Sequence, residues 1–225
     1  MGVGEVKGAE NYRERIARRA AQEITDGMMI NLGIGIPTLV ADYLSADKFV
    51  LFHAENGILG TGPSPAPGEE DPMLCNAGGF PVTLVKGASF FDSATAFAII
   101  RRGLLDMTIL GALEVSEAGD IANWIVPGKR VPGMGGAMEL AQKAKRVMVL
   151  TTHLDKHGRS KIVRACKLPL TARRAANLII TDMAVMEVTG DGLLLREVMH
   201  PYTVSEVLAA TEAKLHIAGE VGVFR

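Results

Sequence analysis

Four groupings of residues in this sequence have the types and spacing to do chemistry. Glu55-Asn56-Gly57 closes the apolar run Phe49-Val50-Leu51-Phe52, setting a carboxylate at the carboxyl end of an expected buried strand. In open α/β sheets that end is where ligands bind, in crevices formed by the loops leaving the strands. An acid there also suits a helix cap or a surface ion pair, so position alone does not make Glu55 catalytic. Gly33-Ile34-Gly35, with Thr38, follows a strand and precedes a helix like the start of a dinucleotide fingerprint, but the third glycine and the ribose-binding acid are missing. The pattern fits a structural tight turn, or a loop shaped around another anionic ligand.

Gly133-Met134-Gly135-Gly136 leads directly into the helix-forming run Ala137-Met138-Glu139-Leu140-Ala141. Its backbone N–H groups and helix-end dipole could receive a phosphate or a developing oxyanion, while close packing of loop on sheet accounts for the glycines equally well. Lys129-Arg130 just upstream either adds positive charge or is simply solvated. The fourth grouping, His153 and His157, has helical spacing for a metal pair. Leu154-Asp155-Lys156-His157-Gly158 reads as a turn, however, and no Glu follows His153, so no metal is expected. There is no G-x-S-x-G elbow and no evident cysteine nucleophile, and the methionines read as core filler.

The elements that must position these groups alternate between strand and helix. An amphipathic helix is predicted over 10–25, with Ile16, Ala20 and Ile24 on one face, ending near Asp26-Gly27. A strand over Met28–Leu32 and a helix from Pro37 to about Leu44 follow. Residues 60–72 are rich in proline and glycine and read as a long irregular lid or rim. Strands are predicted at Val82–Val85, Met107–Leu110, Val147–Leu150 and Leu178–Ile180, with a helix over Ser93–Arg102 between the first two and another over Ala137–Ala144. Val185–Val188 and Leu193–Val198 form a hairpin through Gly190-Asp191-Gly192, and Thr203 with Glu206 makes a capping box for a last helix. The fold class is α/β, sheet-centred and layered, in one domain over 1–225.

Composition narrows the ligand. Twenty-four basic and 25 acidic residues are well mixed, so there is no stripe for nucleic acid and no polybasic membrane patch; a small molecule is favoured. Cys75 and Cys166 lack C-x-x-C spacing, which fits a reducing cytoplasm. Glutamates interrupt the arginine-rich first 24 residues, unlike a transit peptide, and no apolar run reaches membrane length.

Taken together, Asn31-Leu-Gly-Ile-Gly-Ile-Pro37, Glu55-Asn-Gly57, Asn76-Ala-Gly78, Gly87-Ala-Ser-Phe-Phe-Asp92, Ala122-Asn-Trp-Ile-Val-Pro-Gly-Lys129 and Gly133-Met-Gly-Gly-Ala-Met138 run in order along essentially the whole chain. This set resembles the B subunit of the 3-oxoacid coenzyme A transferases. The resemblance implies a NagB/RpiA/CoA transferase-like fold, with Glu55 as nucleophile and Gly135 and Gly136 as donors to the thioester oxygen. It further implies CoA or substrate contacts at Asn31, Gly33, Gly35, Asn56, Gly57 and Lys129. An A subunit as partner, in an α2β2 heterotetramer, is implied as well, with CoA as substrate and covalent thioester and no permanently bound cofactor. Many relatives carry Ser where this chain has Ala54, and some carry Lys where it has Gly79; either change could alter the acid accepted.

A glutamate carboxylate is ionised near neutral pH, its reference pKa being about 4.3, so it needs no general base to attack a thioester. The expected activity is therefore CoA transfer between an acyl-CoA, such as succinyl-CoA or acetyl-CoA, and a 3-oxo or short-chain acid. The alternatives are a thioester hydrolase on the same glutamyl intermediate, and a non-catalytic domain that senses a CoA ester or a sugar phosphate.

Overall fold

Runs such as Met107–Leu110 and Val147–Leu150 are apolar at almost every position, so each strand must be covered on both faces, the situation of a parallel sheet between helical layers. The computed structural model, which describes residues 11–128 and 133–225, has that arrangement. In chain order the elements begin with α1 (Tyr12–Ala21), β1 (Met29–Leu32), a 3-10 helix (Ile36–Tyr43), β2 (Leu51–Ala54), β3 (Ile58–Thr61) and β4 (Leu84–Phe90). Next come α2 (Ser93–Arg101), β5 (Met107–Gly111), β6 (Glu114–Ser116), β7 (Ile121–Ala122), α3 (Ala137–Lys143), β8 (Val147–Leu150) and β9 (Ile162–Val163). The chain finishes with β10 (Leu178–Ile180), β11 (Ala184–Thr189), β12 (Gly192–Met199), α4 (Val204–Ala210), β13 (Leu215–His216) and β14 (Gly222–Phe224).

Among the described residues the main sheet has eleven strands, ordered β13-β12-β11-β10-β8-β5-β1-β2-β3-β4, with β14 also paired to β12. Strands β10, β8, β5, β1 and β2 are mutually parallel and form its centre; antiparallel pairs flank them on both sides. Alternation along each central strand divides the core in two. Met107, Ile109, Met148 and Leu150 face α1 and the 3-10 helix, while Leu110, Val147 and Val149 face the layer that holds Ile100 of α2 and Leu140 of α3. A small sheet, β7-β6-β9, completes that second layer.

Several boundaries differ from the sequence expectation. The first helix stops at Ala21, and α1 is tied to β12 by Arg19, which donates to Glu197 at 2.6 and 2.8 Å and to Glu23 at 2.9 Å. The segment after Pro37 is a 3-10 helix, capped by Gly35 at φ 96°. The second strand runs over Leu51–Ala54, two residues later than the apolar run, because its pairing with β1 sets its register. The expected irregular loop begins inside β3, and the strand expected at Val82–Val85 lies at Leu84–Phe90 as the outer partner of β3. The two-residue strands of the small sheet, and β13, are too short to leave a periodic signal.

Candidate active site

Residues facing one another on parallel neighbours point to the same side of a sheet, and Thr108 of β5, Asn31 of β1 and His53 of β2 are in register. All three are buried, at 0%, 0% and 2% exposure, and they form a polar row across an otherwise apolar sheet. Buried polar groups of this kind are usually hydrogen-bonded, and here the Asn31 side chain makes the bonds that link the row. The Asn31 amide donates from Nδ2 to the His53 carbonyl at 3.0 Å and to Glu55 Oε2 at 2.9 Å, and the Thr108 hydroxyl lies 3.4 Å from Asn31 Oδ1. Glu55, two residues beyond His53 and just past β2, thus has one carboxylate oxygen tethered.

The turn that carries Glu55 closes with the Gly57 N–H donating to the Ala54 carbonyl at 3.0 Å. Gly57 sits at φ 117°, and a Cβ there would lie 2.1 Å from the Phe91 carbonyl oxygen, so glycine is required for the turn to pack against the chain leaving β4. Asn56 anchors the outer side by donating to the Cys75 carbonyl at 2.8 Å. The His53 ring stacks near Phe91 with centroids 6.1 Å apart, and among the described residues neither ring nitrogen has a hydrogen-bond partner. Burial lowers its pKa, against the opposing pull of Glu55, which keeps the imidazole neutral.

Opposite Glu55 stands the glycine loop. A Cβ built on Gly136 would lie 3.6 Å from Glu55 Oε1 and 3.3 Å from the Phe97 ring. Gly135 takes a left-handed φ of 54°, and among the described residues neither its N–H nor that of Gly136 has a hydrogen-bond partner. The loop is seated by α2: Phe97 packs under Gly136, and Arg101 donates to the Glu139 carboxylate at 2.7 and 2.8 Å while its guanidinium covers the Phe97 ring at 5.7 Å. Leu32, Gly33, Glu55, Asn123, Gly135 and Gly136 line a cavity of about 430 Å³ between the two loops. The Asn123 side chain is held in its wall by the Gly111 carbonyl at 3.1 Å and the Thr171 hydroxyl at 2.6 Å.

The structure therefore brings Glu55, Gly33, Gly135 and Gly136 to one cavity and sets Asn31 behind the carboxylate, fully enclosed. Gly35 and Ala54 border a second, smaller cavity of about 270 Å³, which shares Leu32 and Ala77 with the first. Lys129 and Arg130 lie outside the described residues. Gly79 takes φ 78°, closing a turn in which its N–H donates to the Asn76 carbonyl at 2.9 Å, a backbone that a lysine would adopt only with strain. Phe97 and the Arg101–Glu139 pair have no signal in the sequence, since helix α2 carries no motif. Among the described residues no cluster of His, Cys, Asp and Glu could hold a metal, and His153 is enclosed by Thr181 and Thr211. Burial pushes the Cys166 thiol up to about 12. Among the described residues no helix is long and apolar enough to cross a membrane.

Comparison with known proteins identifies the family. A family model described as coenzyme A transferase matches residues 13–210. The chain is 57% identical over 217 residues to the beta subunit of the probable coenzyme A transferase of Bacillus subtilis, covering 96% of this chain and 98% of the relative. It is 47% identical over 205 residues to the B subunit of the succinyl-CoA:3-ketoacid coenzyme A transferase of Helicobacter pylori, covering 91% and 99% respectively. The crystal structure of the acyl-CoA transferase YdiF apoenzyme from Escherichia coli superposes with a TM-score of 0.76 at 20% identity, over 99% of this chain and 45% of that one, and so shares the fold. With the match extending over nearly its whole length, the chain belongs to the coenzyme A transferase family.

Proposed function

We propose that this chain is the catalytic B subunit of a cytoplasmic CoA-transferase, that it works with an A subunit in an α2β2 assembly, and that Glu55 is its nucleophile. The observation that carries this reading is the asymmetry of the Glu55 carboxylate. Oε2 is held by Asn31, while Oε1 faces Gly136 across the cavity. A fixed oxygen and a free one are what a nucleophile needs to be aimed without being neutralised.

Glu55 Oε1 attacks the thioester carbonyl of an acyl-CoA, and the carbon–sulfur bond breaks to release CoA thiolate, leaving a mixed anhydride. The thiolate then attacks the glutamyl carbonyl, and the acyl group departs as its carboxylate, leaving a glutamyl-CoA thioester. A second acid reverses both steps. One negative charge enters and one leaves at each stage, so no proton donor or ATP is required. Each tetrahedral intermediate carries an oxyanion, for which the N–H groups of Gly135 and Gly136 are the available donors; one well-aimed donor is worth about 3–4 kcal/mol in comparable sites. The relatives named for succinyl-CoA with 3-ketoacids and for acetate support succinyl-CoA or acetyl-CoA as donor and a 3-oxo or short-chain acid as acceptor.

The test is the covalent species. The chain assembled with its A subunit and given an acyl-CoA without acceptor acid should retain CoA in thioester linkage within the tryptic peptide Phe49–Lys86. Glu55→Ala should retain none. An adduct that persists in Glu55→Ala, or that maps to His53, overturns the assignment, and loss of acyl-CoA to water alone would mark a hydrolase.

A further inference from the structure

Helices α3 and α4 carry a glutamate at the same place in their first turn, and the two side chains do different things. In α4 the N-cap is Thr203 and the third helical residue is Glu206, whose carboxylate reaches back to accept from the Thr203 N–H at 2.7 Å. In α3 the N-cap is Gly136 and the third helical residue is Glu139, the position from which a glutamate ordinarily makes that same bond. Glu139 does not make it. Arg101 of α2 donates to both Glu139 carboxylate oxygens, at 2.7 and 2.8 Å, and among the described residues the Gly136 N–H has no partner. The arginine is what separates the two cases, since among the described residues Glu206 has no basic partner.

Arg101 is itself held in place. Its guanidinium lies over the Phe97 ring at 5.7 Å, and its helix is anchored to the turn that carries Glu55, where the Phe91 N–H donates to the Gly57 carbonyl at 3.0 Å and Asp92 caps α2 by accepting from the Thr95 N–H at 2.7 Å. The pair is open to solvent, with 62% of the arginine side chain and 26% of the glutamate side chain exposed. Exposed ion pairs contribute little to stability. The consequence of this one lies in where it puts the carboxylate. Gly136 is buried in the cavity wall, and a Cβ on it would stand 3.6 Å from Glu55 Oε1. A Glu139 side chain released from Arg101 would do there what Glu206 does in α4: it would occupy the backbone N–H and set a second negative charge beside the oxygen that gains one during the reaction. We propose that Arg101 is a positioning residue that holds Glu139 off the Gly136 N–H and so keeps that donor open for the oxyanion. The inference rests on the transferase reading above, in which Gly136 is such a donor.

Two variants and their combination test it in the assembled complex. Arg101→Met keeps an apolar stem over Phe97 and frees Glu139. It should lower kcat at least about tenfold, since loss of one oxyanion donor costs on the order of 10²–10³, with KM for the acid within about twofold and Tm unchanged. Arg101→Met/Glu139→Ala removes the carboxylate that would fill the donor and should regain most of the lost kcat, and Glu139→Ala alone should lose far less than Arg101→Met. A pair that only seats the loop gives another order, the single variants alike and the double variant no better; that order overturns the assignment, as does wild-type kcat in Arg101→Met. The Gly136 amide reads the same contact without turnover. In a complex carrying isotopically labelled glycine, its proton resonance, identified by its absence from Gly136→Ala, should move downfield in Arg101→Met and return in the double variant. A resonance that keeps its wild-type position in Arg101→Met overturns the proposal whatever the kinetics. If Arg101→Met does not assemble, Arg101→Lys, which keeps the charge and loses the two-pronged grip, is read by the same two measurements with the same signs expected. Failure of the transferase reading would show separately, as absence of the glutamyl adduct from the wild-type enzyme.

Discussion

Asn31 Nδ2 and Glu55 Oε2 are 2.9 Å apart, joining the middle of β1 to the residue just past β2 by a hydrogen bond that leaves the other carboxylate oxygen facing the cavity. The contact depends on the parallel register that sets Asn31 opposite His53, and on the same amide holding the His53 carbonyl at 3.0 Å.

Removing that amide should misaim Glu55 and also remove a buried hydrogen bond to the His53 carbonyl. Asn31→Ala is expected to lower kcat on the order of a hundredfold, as a misplacement of about 1 Å does, and to destabilise the fold by about 1 kcal/mol through the lost amide hydrogen bond to the His53 carbonyl. Steady-state kinetics of the assembled enzyme and urea unfolding check the two effects. An Asn31→Ala enzyme with wild-type kcat would show that the tether does not aim Glu55.

Shortening Glu55 tests the reach of the proposed nucleophile with the charge kept. Glu55→Asp draws the oxygen back by about one bond and should lose on the order of a hundredfold in turnover, approaching Glu55→Ala. Its melting temperature should stay near wild type, because Glu55 is partly exposed and its carboxylate is tied to the fold through Asn31 alone among the described residues. Turnover by Glu55→Asp close to wild type would point to another nucleophile.

A methyl group at Gly136 would enter the space between Phe97 and Glu55 Oε1, at 3.3 and 3.6 Å. The backbone at this position, φ −78° and ψ −5°, accepts any residue, so the effect is on the cavity and not on the loop's conformation. Gly136→Ala should lower kcat/KM on the order of tenfold with little change in Tm, and Gly136→Val more severely. Equal activities across the series would remove the glycine loop from the reacting centre.

Acid should weaken the fold through His153. Its Nε2 lies 2.9 Å from the Thr211 hydroxyl, which donates to the Val207 carbonyl at 2.6 Å and so must accept; Nδ1 then accepts from Thr181 at 3.0 Å. Burial pushes the pKa down to about 4 from an ordinary value near 6.5, with Asp182 opposing. Between those values the unfolded chain binds a proton that the folded chain does not, so stability falls as pH drops from about 6.5 towards 4, by about 3 kcal/mol in all. Denaturant midpoints of wild type and His153→Gln across this range check it: the wild-type slope should exceed the variant's. Parallel profiles would place the acid sensitivity elsewhere.

Much of this architecture was legible from patterns of one residue against its near neighbours. Apolar runs at Met107–Leu110 and Val147–Leu150 require a sheet covered on both faces, and the Thr203–Glu206 box fixes the start of α4, where both of its hydrogen bonds form. The ordered motifs, Glu55-Asn-Gly57 and Gly133-Met-Gly-Gly136 among them, also carried the resemblance to the family whose model matches the chain. What the sequence could not determine is which groups meet. The 3.6 Å approach of Gly136 to Glu55, the seating of the glycine loop by Phe97 and Arg101, and the enclosure of Asn31 all join residues far apart along the chain. Those meetings are set by strand register and by helix packing across the sheet, which are properties of the assembled core and leave no periodicity in any one segment.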